Sequence, residues 1–301
     1  MPTRTTDRPL RLTTASELRR WSLRCHAAGM SVGLVPTMGA LHRGHLSLVA
    51  RAMGECDRVA VSIFVNPRQF APGEDFERYP RSPESDLEAL AGAGVHAVYM
   101  PAVEAMYPAG LSTAVHVTGP VGEGFEADLR PGHFHGVALV VTKLLVAARP
   151  DRAYFGQKDA QQCAVVERLA RDLDTGVQIV VCPTVRDGDG LALSSRNQYL
   201  SAEDRRRALA IPAGLAAAAT RFEAGERGSA ALIEAVTEKL RAADATIDYV
   251  AIVDPGTFME VETASPGCQI LVAARIGTTR LIDNLRLGSD AAPSAGAFHT
   301  T

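Results

Sequence analysis

The sequence of 301 residues has no surplus of charge of one sign and no long hydrophobic run. Its 31 Lys and Arg residues nearly balance 34 Asp and Glu residues, and the net charge of −3 argues against nucleic acid or an anionic membrane as the main partner. The longest apolar run, residues 137–148, is too short to span a bilayer. Residues 1–12 lack the apolar stretch of a secretory signal, so we do not expect export.

Cysteine is also scarce, because the chain has five cysteines and no CxxC pair. An odd number without histidines at metal-ligand spacing argues against a disulfide framework and against a zinc site. We therefore expect a reducing, cytoplasmic compartment. The composition, 47% hydrophobic and 22% charged, is typical of a soluble globular protein and excludes coiled-coil, collagen-like and wholly disordered chains.

Apolar segments of strand length alternate with longer amphipathic segments through the first 181 residues. This alternation predicts an α/β fold with a Rossmann-like parallel sheet, because parallel strands need crossover connections. Ligands in such folds bind at the carboxyl ends of the strands. The predicted strands are residues 32–35, 58–65, 97–100, 152–155 and 177–181, and the predicted helices are residues 44–53, 83–93, 134–148 and 160–172.

The pattern changes after residue 181, where a polar stretch precedes two Ala-rich helical segments and three short strands. This order predicts a smaller C-terminal α+β domain. The predicted helices are residues 202–224 and 229–243, and the predicted strands are residues 247–253, 269–274 and 279–285. We predict a Rossmann-like domain at residues 1–185, a smaller C-terminal domain at 186–287 and a disordered tail at 288–301.

The segment PTMGALHRGH, residues 36–45, lies directly after the predicted strand at residues 32–35 and before a predicted helix. A helix N-terminus suits a phosphate, and Gly39 and Gly44 permit a close backbone approach. His42 and His45 are three residues apart and can share one face of the first turn, where imidazole donors stabilise charge growing on a phosphate. Capping histidines are the alternative for an isolated HxGH motif, but the strand-to-helix context favours phosphate binding.

This motif resembles that of the nucleotidylyltransferase superfamily, and the longer string resembles the pantothenate synthetase (pantoate–β-alanine ligase) family. Further strings resemble that family in the same order, to about residue 285. They are VSIFVNPRQF at 61–70, ED at 74–75, YPR at 79–81, RPGHF at 130–134, FGQKD at 155–159, QQ at 161–162, DGLALSSRN at 189–197, LVAARIG at 271–277 and DN at 283–284.

The resemblance implies an ATP- and Mg²⁺-dependent ligase, a cytoplasmic homodimer, that joins pantoate to β-alanine through a pantoyl adenylate and releases AMP and pyrophosphate. It implies that His42 and His45 hold the phosphates and that Lys158 supplies a point charge. Asp159 and the backbone at Gly156 would bind the ribose hydroxyls. The remaining residues implied at the nucleotide are Met38, Gly39, Leu193, Ser194, Ser195 and Arg196, the last three as a loop that clamps the departing pyrophosphate.

Pantoate offers a carboxylate, two hydroxyls and a gem-dimethyl group, so its pocket needs amide partners and an apolar wall. The resemblance assigns Gln69 and Gln162 to the hydroxyls, with Asn66 close by in sequence. It assigns the wall to Met38 and to three valines that fall, together with Leu144, at helical spacing, and for Leu144 we favour plain core packing. These three are Val137, Val140 and Val141.

Three further residues have two interpretations each. Asp86 is a Mg²⁺ ligand by resemblance, or a favourable dipole partner early in a helix. His133 fits a core histidine bonded to a carbonyl better than a catalytic one. Arg130 meets either a phosphate or an acidic neighbour.

Several positions depart from the family's common pattern, and they leave the choice of acid or amine open. Arg43 replaces an acid, Gln157 stands where Glu is usual, Ala160 replaces an aromatic residue, and His135 stands where Arg is common. One alternative is therefore a related adenylate-forming amide ligase that uses another acid or amine. Two others are a nucleotidylyltransferase that forms no amide and an inactive paralogue that serves as a scaffold.

Overall fold

The computed structural model describes residues 8–71 and 73–293. They form two compact units, of which the first contains the described residues up to Gly156 together with Val165–Cys182. The second contains Gln157–Ala164 together with the described residues from Pro183 onward. The division at residue 185 stays a prediction, and of the predicted tail, residues 294–301 lie outside the described part of the chain.

The first unit is built on a six-stranded parallel sheet, which confirms the predicted Rossmann-like α/β architecture. The strands are β1 (Leu10–Leu12), β2 (Val32–Thr37), β3 (Arg58–Ile63), β4 (Ala97–Tyr99), β5 (Arg152–Gly156) and β6 (Gln178–Cys182). Their spatial order is β1-β4-β3-β2-β5-β6, so the chain leaves β2 on one side and later pairs β5 with its other side. This reversal places a crevice at the carboxyl ends of β2 and β5, where ligands bind in open α/β sheets.

Apolar strand residues explain why the sheet is central. Val32, Leu34 and Val35 of β2 are fully buried, and Val59 and Val61 of β3 are buried as well. Near-continuous apolar strands of this kind are typical of parallel sheets that helices cover on both faces. The helices in these crossovers are α1 (Ala15–Ala27), α2 (Arg43–Glu55), α3 (Pro83–Gly92), α4 (Val103–Met106), α5 (Phe125–Leu129), α6 (His133–Ala148) and α7 (Ala160–Asp172).

The described residues of the second unit from Pro183 onward form three α-helices and a three-stranded antiparallel sheet of order β7-β8-β9, which confirms the predicted α+β composition. Its elements are α8 (Ala202–Ala208), α9 (Ala210–Glu223), α10 (Ser229–Ala242), β7 (Thr246–Val253), β8 (Gln269–Ile276) and β9 (Thr279–Arg286). The helical region predicted over residues 202–224 consists of two helices, because Leu209 ends α8 and caps α9. Pro212 lies in the first turn of α9, where its missing N–H costs nothing.

Two general expectations can be compared with the described residues. None of the helices there combines the length and apolarity of a membrane span. The five cysteines are free and buried, as expected for small apolar packing residues.

Candidate active site

The loop between β2 and α2 lies at the sheet's crevice and is held by a buried carboxylate. Asp86 accepts hydrogen bonds from the backbone N–H groups of Ala40 (2.9 Å) and Leu41 (2.8 Å), and from the Ser82 hydroxyl (3.3 Å). Gly39 has a φ of +82°, and a Cβ there would lie 3.0 Å from an Asp86 oxygen. Glycine is therefore required for this loop conformation, and Asp86 fixes the loop's shape.

The two motif histidines cap α2 and stack on each other, with ring centroids 4.1 Å apart. Nδ1 of His42 accepts a hydrogen bond from the Gly44 N–H at 3.1 Å, and Nδ1 of His45 accepts one from the His42 N–H at 3.4 Å. Because both Nδ1 atoms are acceptors, each neutral ring carries its proton on Nε2. The caps thus orient two N–H donors at a helix N-terminus, beside its partial positive charge.

Asn66 and Gln69 form a buried amide pair in the segment after β3. The Asn66 Nδ2 donates to Gln69 Oε1 (3.0 Å) and to the Gly136 carbonyl (3.1 Å), while the Tyr107 hydroxyl donates to Asn66 Oδ1 (2.7 Å). Burial raises the pKa of Tyr107, which keeps this donor protonated. The Gln69 Nε2 lies 3.1 Å from Met38 Sδ. The structure therefore brings three predicted acid-pocket residues together.

The Gln69 backbone is anchored by His133 and Arg130. His133 Nδ1 donates to the Gln69 carbonyl at 2.7 Å, and its Nε2 accepts from Arg130 at 3.2 Å. Arg130 also makes a bidentate pair with Glu74, at 2.9 and 2.8 Å. Burial raises the pKa of Glu74, but the Arg130 hydrogen bonds and charge lower it by more. His133 is thus bonded to a carbonyl, as expected, and Arg130 meets an acidic neighbour.

This arrangement predicts a pH-dependent contribution to stability. Burial, with the nearby Arg130 charge, lowers the pKa of His133 from 6.5 to about 4. Between those values the unfolded chain binds a proton that the folded chain does not, so stability falls as pH drops from 6.5 toward 4. We expect a loss of roughly 3 kcal/mol across that window.

Urea unfolding at pH 4 to 7 measures this loss, with His133→Gln as the control. Glutamine offers an amide donor and an acceptor but does not titrate, so the variant should show a flatter pH dependence. The same slope in both proteins would contradict the assignment.

The predicted apolar wall lies in α6 and is buried. Val137, Val140 and Val141 are 2%, 7% and 3% exposed, so they pack in the core of the first unit. The helix approaches the segment after β3 closely at Gly136, where a Cβ would lie 2.2 Å from the Arg68 carbonyl oxygen. Their contact with a substrate stays a prediction.

Lys158, Asp159 and Gln162 belong to the second unit, at the start of α7 and just before it. Lys158 Nζ lies 4.0 Å from Asp159 Oδ1. Gly156, the last residue of β5, belongs to the first unit. Their roles at a nucleotide stay predictions.

The loop at residues 193–196 is held by its own hydroxyl and backbone groups. Ser194 Oγ accepts from the Arg196 N–H at 3.2 Å, and the Leu193 N–H donates to the Val185 carbonyl at 2.9 Å. Ser195 begins the 3₁₀ turn Ser195–Tyr199. Because the Ser194 oxygen accepts here, its hydroxyl proton can be donated to a phosphate.

The described side chains offer few ligands for a metal ion. Within residues 8–71 and 73–293, no group of three or more His, Cys, Asp or Glu side chains is arranged to hold one. Asp86 is 2% exposed and already binds the loop amides. A Mg²⁺ ion at this site would therefore take most of its ligands from nucleotide phosphates and water.

Sequence reasoning missed Tyr107 and Thr37 as supports of the site. Thr37 Oγ1 donates to the Ser62 carbonyl at 2.7 Å and accepts from the Gly39 N–H at 3.2 Å. Tyr107 lies in an irregular segment, 41 residues from its partner Asn66. No local pattern marks such a pair.

Known proteins resemble this chain over most of its length. A family model described as Pantoate-beta-alanine ligase matches residues 11–286. The pantothenate synthetase of Rubrobacter xylanophilus is 52% identical, over 92% of this chain and 98% of that protein. The crystal structure of pantothenate synthetase from Thermus thermophilus has a TM-score of 0.86 at 47% identity, over 92% of this chain and 99% of that one.

A fourth comparison concerns a structure with bound ligands. The crystal structure of pantoate–β-alanine ligase from Francisella tularensis, complexed with beta-gamma ATP and β-alanine, has a TM-score of 0.76 at 32% identity. The alignment covers 92% of this chain and 97% of that one.

A parallel α/β sheet with a histidine-capped helix at its switch point defines an α/β enzyme of the nucleotide-binding HxGH class. Within that class, the chain belongs to the pantoate–β-alanine ligase family.

Proposed function

We propose that the protein joins pantoate to β-alanine in two steps through a pantoyl adenylate. A pantoate carboxylate oxygen attacks the α-phosphorus of ATP, and the bond to pyrophosphate breaks. The amine of β-alanine then attacks the acyl carbon, loses a proton and displaces AMP. The observation that carries the proposal is the pair of oriented imidazole donors at the N-terminus of α2, together with the Asn66–Gln69 amide pair, which contacts Met38 of the loop before α2.

The first step needs donors, because a carboxylate and a triphosphate repel each other. His42 and His45 direct Nε2–H donors from the helix N-terminus, which supports their assignment to the phosphates. Lys158 would add a point charge, and the loop of Ser194, Ser195 and Arg196 would hold the departing pyrophosphate with hydroxyls and a guanidinium.

The acid would lie against the segment after β3. Gln69, with Gln162, would bind the pantoate hydroxyls, and Met38 with the α6 valines would face its methyl groups. Support comes from Gln69 itself, whose amide is held by Asn66 and whose backbone is held by His133. A side chain with a fixed orientation can select a hydroxylated acid.

The nucleotide would bind as a complex with Mg²⁺, which would neutralise part of the phosphate charge. Asp86 stays a predicted ligand, with a second role in holding the loop through Ala40 and Leu41. Asp159 and the Gly156 backbone would bind the ribose hydroxyls.

We also propose a cytoplasmic homodimer, as the family resemblance implies. The free cysteines of the described residues fit a reducing compartment. Light scattering of the purified chain tests the dimer, for which a mass of one chain would contradict the proposal.

The experiment that tests the reaction measures pyrophosphate release with ATP, Mg²⁺ and pantoate, and then detects the product by mass after β-alanine is added. We expect β-alanine-dependent pantothenate. A panel of other acids and amines accompanies it. Rapid reaction with another pair and poor turnover with pantoate would favour a related ligase.

Gln69→Ala should raise the KM for pantoate at least tenfold and change the KM for ATP less than threefold. The variant removes hydrogen bonds to the acid, each of which contributes about 1 kcal/mol or more. Steady-state kinetics with each substrate varied in turn measures the effect, with Gln178→Ala, at an exposed strand position, as the control. Equal losses for both substrates would refute the pocket assignment.

A further inference from the structure

A buried amide fixes the backbone on both sides of Lys158. Asn284 of β9 is 2% exposed, and its Nδ2 donates to the carbonyls of Gln157 (2.8 Å) and Lys158 (2.9 Å). Its Oδ1 accepts from the Gln269 Nε2 at 2.7 Å. Because these two carbonyls flank the Lys158 Cα, the direction in which its side chain leaves the backbone is set by Asn284.

The Gln157 side chain completes this network. It is 5% exposed, and its Nε2 donates to Asn284 Oδ1 (3.3 Å) and to the Asp290 carboxylate. Asp290 also accepts the Arg286 N–H at 2.8 Å. Both partners of the Gln157 Nε2 are acceptors, so the site needs an amide donor at position 157. A carboxylate there would face another carboxylate.

We propose that Asn284, Gln157 and Asp290 are positioning residues that aim Lys158 at the nucleotide phosphates. Gln157 and Asp290 form a matched amide–carboxylate pair. The glutamine at position 157, where Glu is usual in the family, therefore serves to position Lys158 and does not select the acid or the amine. The inference rests on the proposed role of Lys158. None of the three residues needs to touch a substrate, because each acts through the Gln157–Lys158 backbone.

Gln157→Glu tests the pair with almost no change in side-chain volume. Two carboxylates then lie together in one partly buried site, which raises the pKa of one of them. At low pH the shared proton restores a donor, whereas at high pH the repulsion displaces the backbone of Lys158. Because displacement of a catalytic group by about 1 Å can reduce the rate on the order of 10²-fold, we expect kcat/KM for ATP to fall about 10- to 100-fold at pH 8. The ratio of variant to wild type should rise as pH falls toward 6.

The double variant Gln157→Glu with Asp290→Asn reverses the donor and the acceptor. The asparagine amide can donate to the glutamate, whereas Asn284 Oδ1 still faces an acceptor, so kcat/KM should recover in part, to clearly above the value of Gln157→Glu, and lose most of its extra pH dependence. Gln178→Glu is the control, because the exposed Gln178 already accepts a hydrogen bond from Arg152 and a carboxylate serves equally well there. Melting temperatures of all variants show whether each one is folded.

A folded Gln157→Glu protein with wild-type kcat/KM from pH 6 to 9 would overturn the inference, as would a folded double variant without recovery. A lower melting temperature with unchanged kinetics would show that the network has a purely structural role, and this result would also overturn the inference. The wild-type assay separates the two proposals. A wild type that forms no pantothenate refutes the proposed function, whereas an active wild type with unresponsive variants refutes only the positioning role.

Discussion

His45→Ala should slow adenylate formation by about 10²- to 10³-fold, because one donor to the charge that develops on the phosphate is lost. The fold should persist. The hydrogen bond from the His42 N–H to His45 Nδ1 is long, at 3.4 Å, so its loss weakens the N-terminus of α2 by no more than about 1 kcal/mol. Single-turnover pyrophosphate release with ATP and pantoate measures the step, with circular dichroism as the check on folding.

His45→Gln separates capping from catalysis. Glutamine at this position can accept the His42 N–H, as in an ordinary capping box, and still carries an amide donor. We expect its melting temperature to match wild type and its rate to lie between those of wild type and His45→Ala. A His45→Ala enzyme with the wild-type rate would refute a role for this imidazole in the reaction.

Gly136→Ala should damage the acid pocket and the fold together. An added Cβ would lie 2.2 Å from the Arg68 carbonyl oxygen and 2.7 Å from the Gln69 nitrogen, so backbone must move. Overpacking of this kind costs about 1 to 3 kcal/mol. The segment that moves carries Asn66 and Gln69, so we expect the KM for pantoate to rise at least tenfold as the melting temperature falls.

The matched control is Gly54→Ala, in α2. A Cβ at Gly54 has no neighbour within 4 Å, and alanine favours a helix more than glycine does. The control should be as stable as wild type or more stable, by about 0.5 kcal/mol. If Gly136→Ala behaved like Gly54→Ala in both the melt and the pantoate kinetics, the close approach of α6 would have no functional meaning.

The sequence predicts the central elements of the fold well, because their signals are local. β2, β3 and β5 are apolar runs, and α6 has buried valines at helical spacing. α1 was missed although Thr14 and Glu17 form a capping box and Leu18, Trp21 and Cys25 are buried on one face. β1 has only three residues and is defined by its pairing with β4, which no local pattern reveals.

The candidate site likewise contains residues that a local sequence signal predicts and contacts that no local signal predicts. The motif predicts His42 and His45 through a fixed spacing, and the caps on α2 follow from that spacing. Contacts that fix the other side chains join distant parts of the chain. Asp86 lies 46 residues from Ala40, and Asp290 lies 133 residues from Gln157. Pairings at such separations arise from tertiary packing, so the sequence next to each residue does not predict them.

The Asn66–Gln69 pair is held by Tyr107 and by the Gly136 carbonyl, which are groups of the chain itself. Fixing a flexible side chain on binding costs about 0.5 to 1.5 kcal/mol in conformational entropy. Here that entropy is lost when the chain folds, so under the proposed assignment it would not weaken the affinity for the acid. A selectivity that rests on this pair would accordingly be built in when the chain folds, and we expect it to vary little with temperature as long as the fold remains intact.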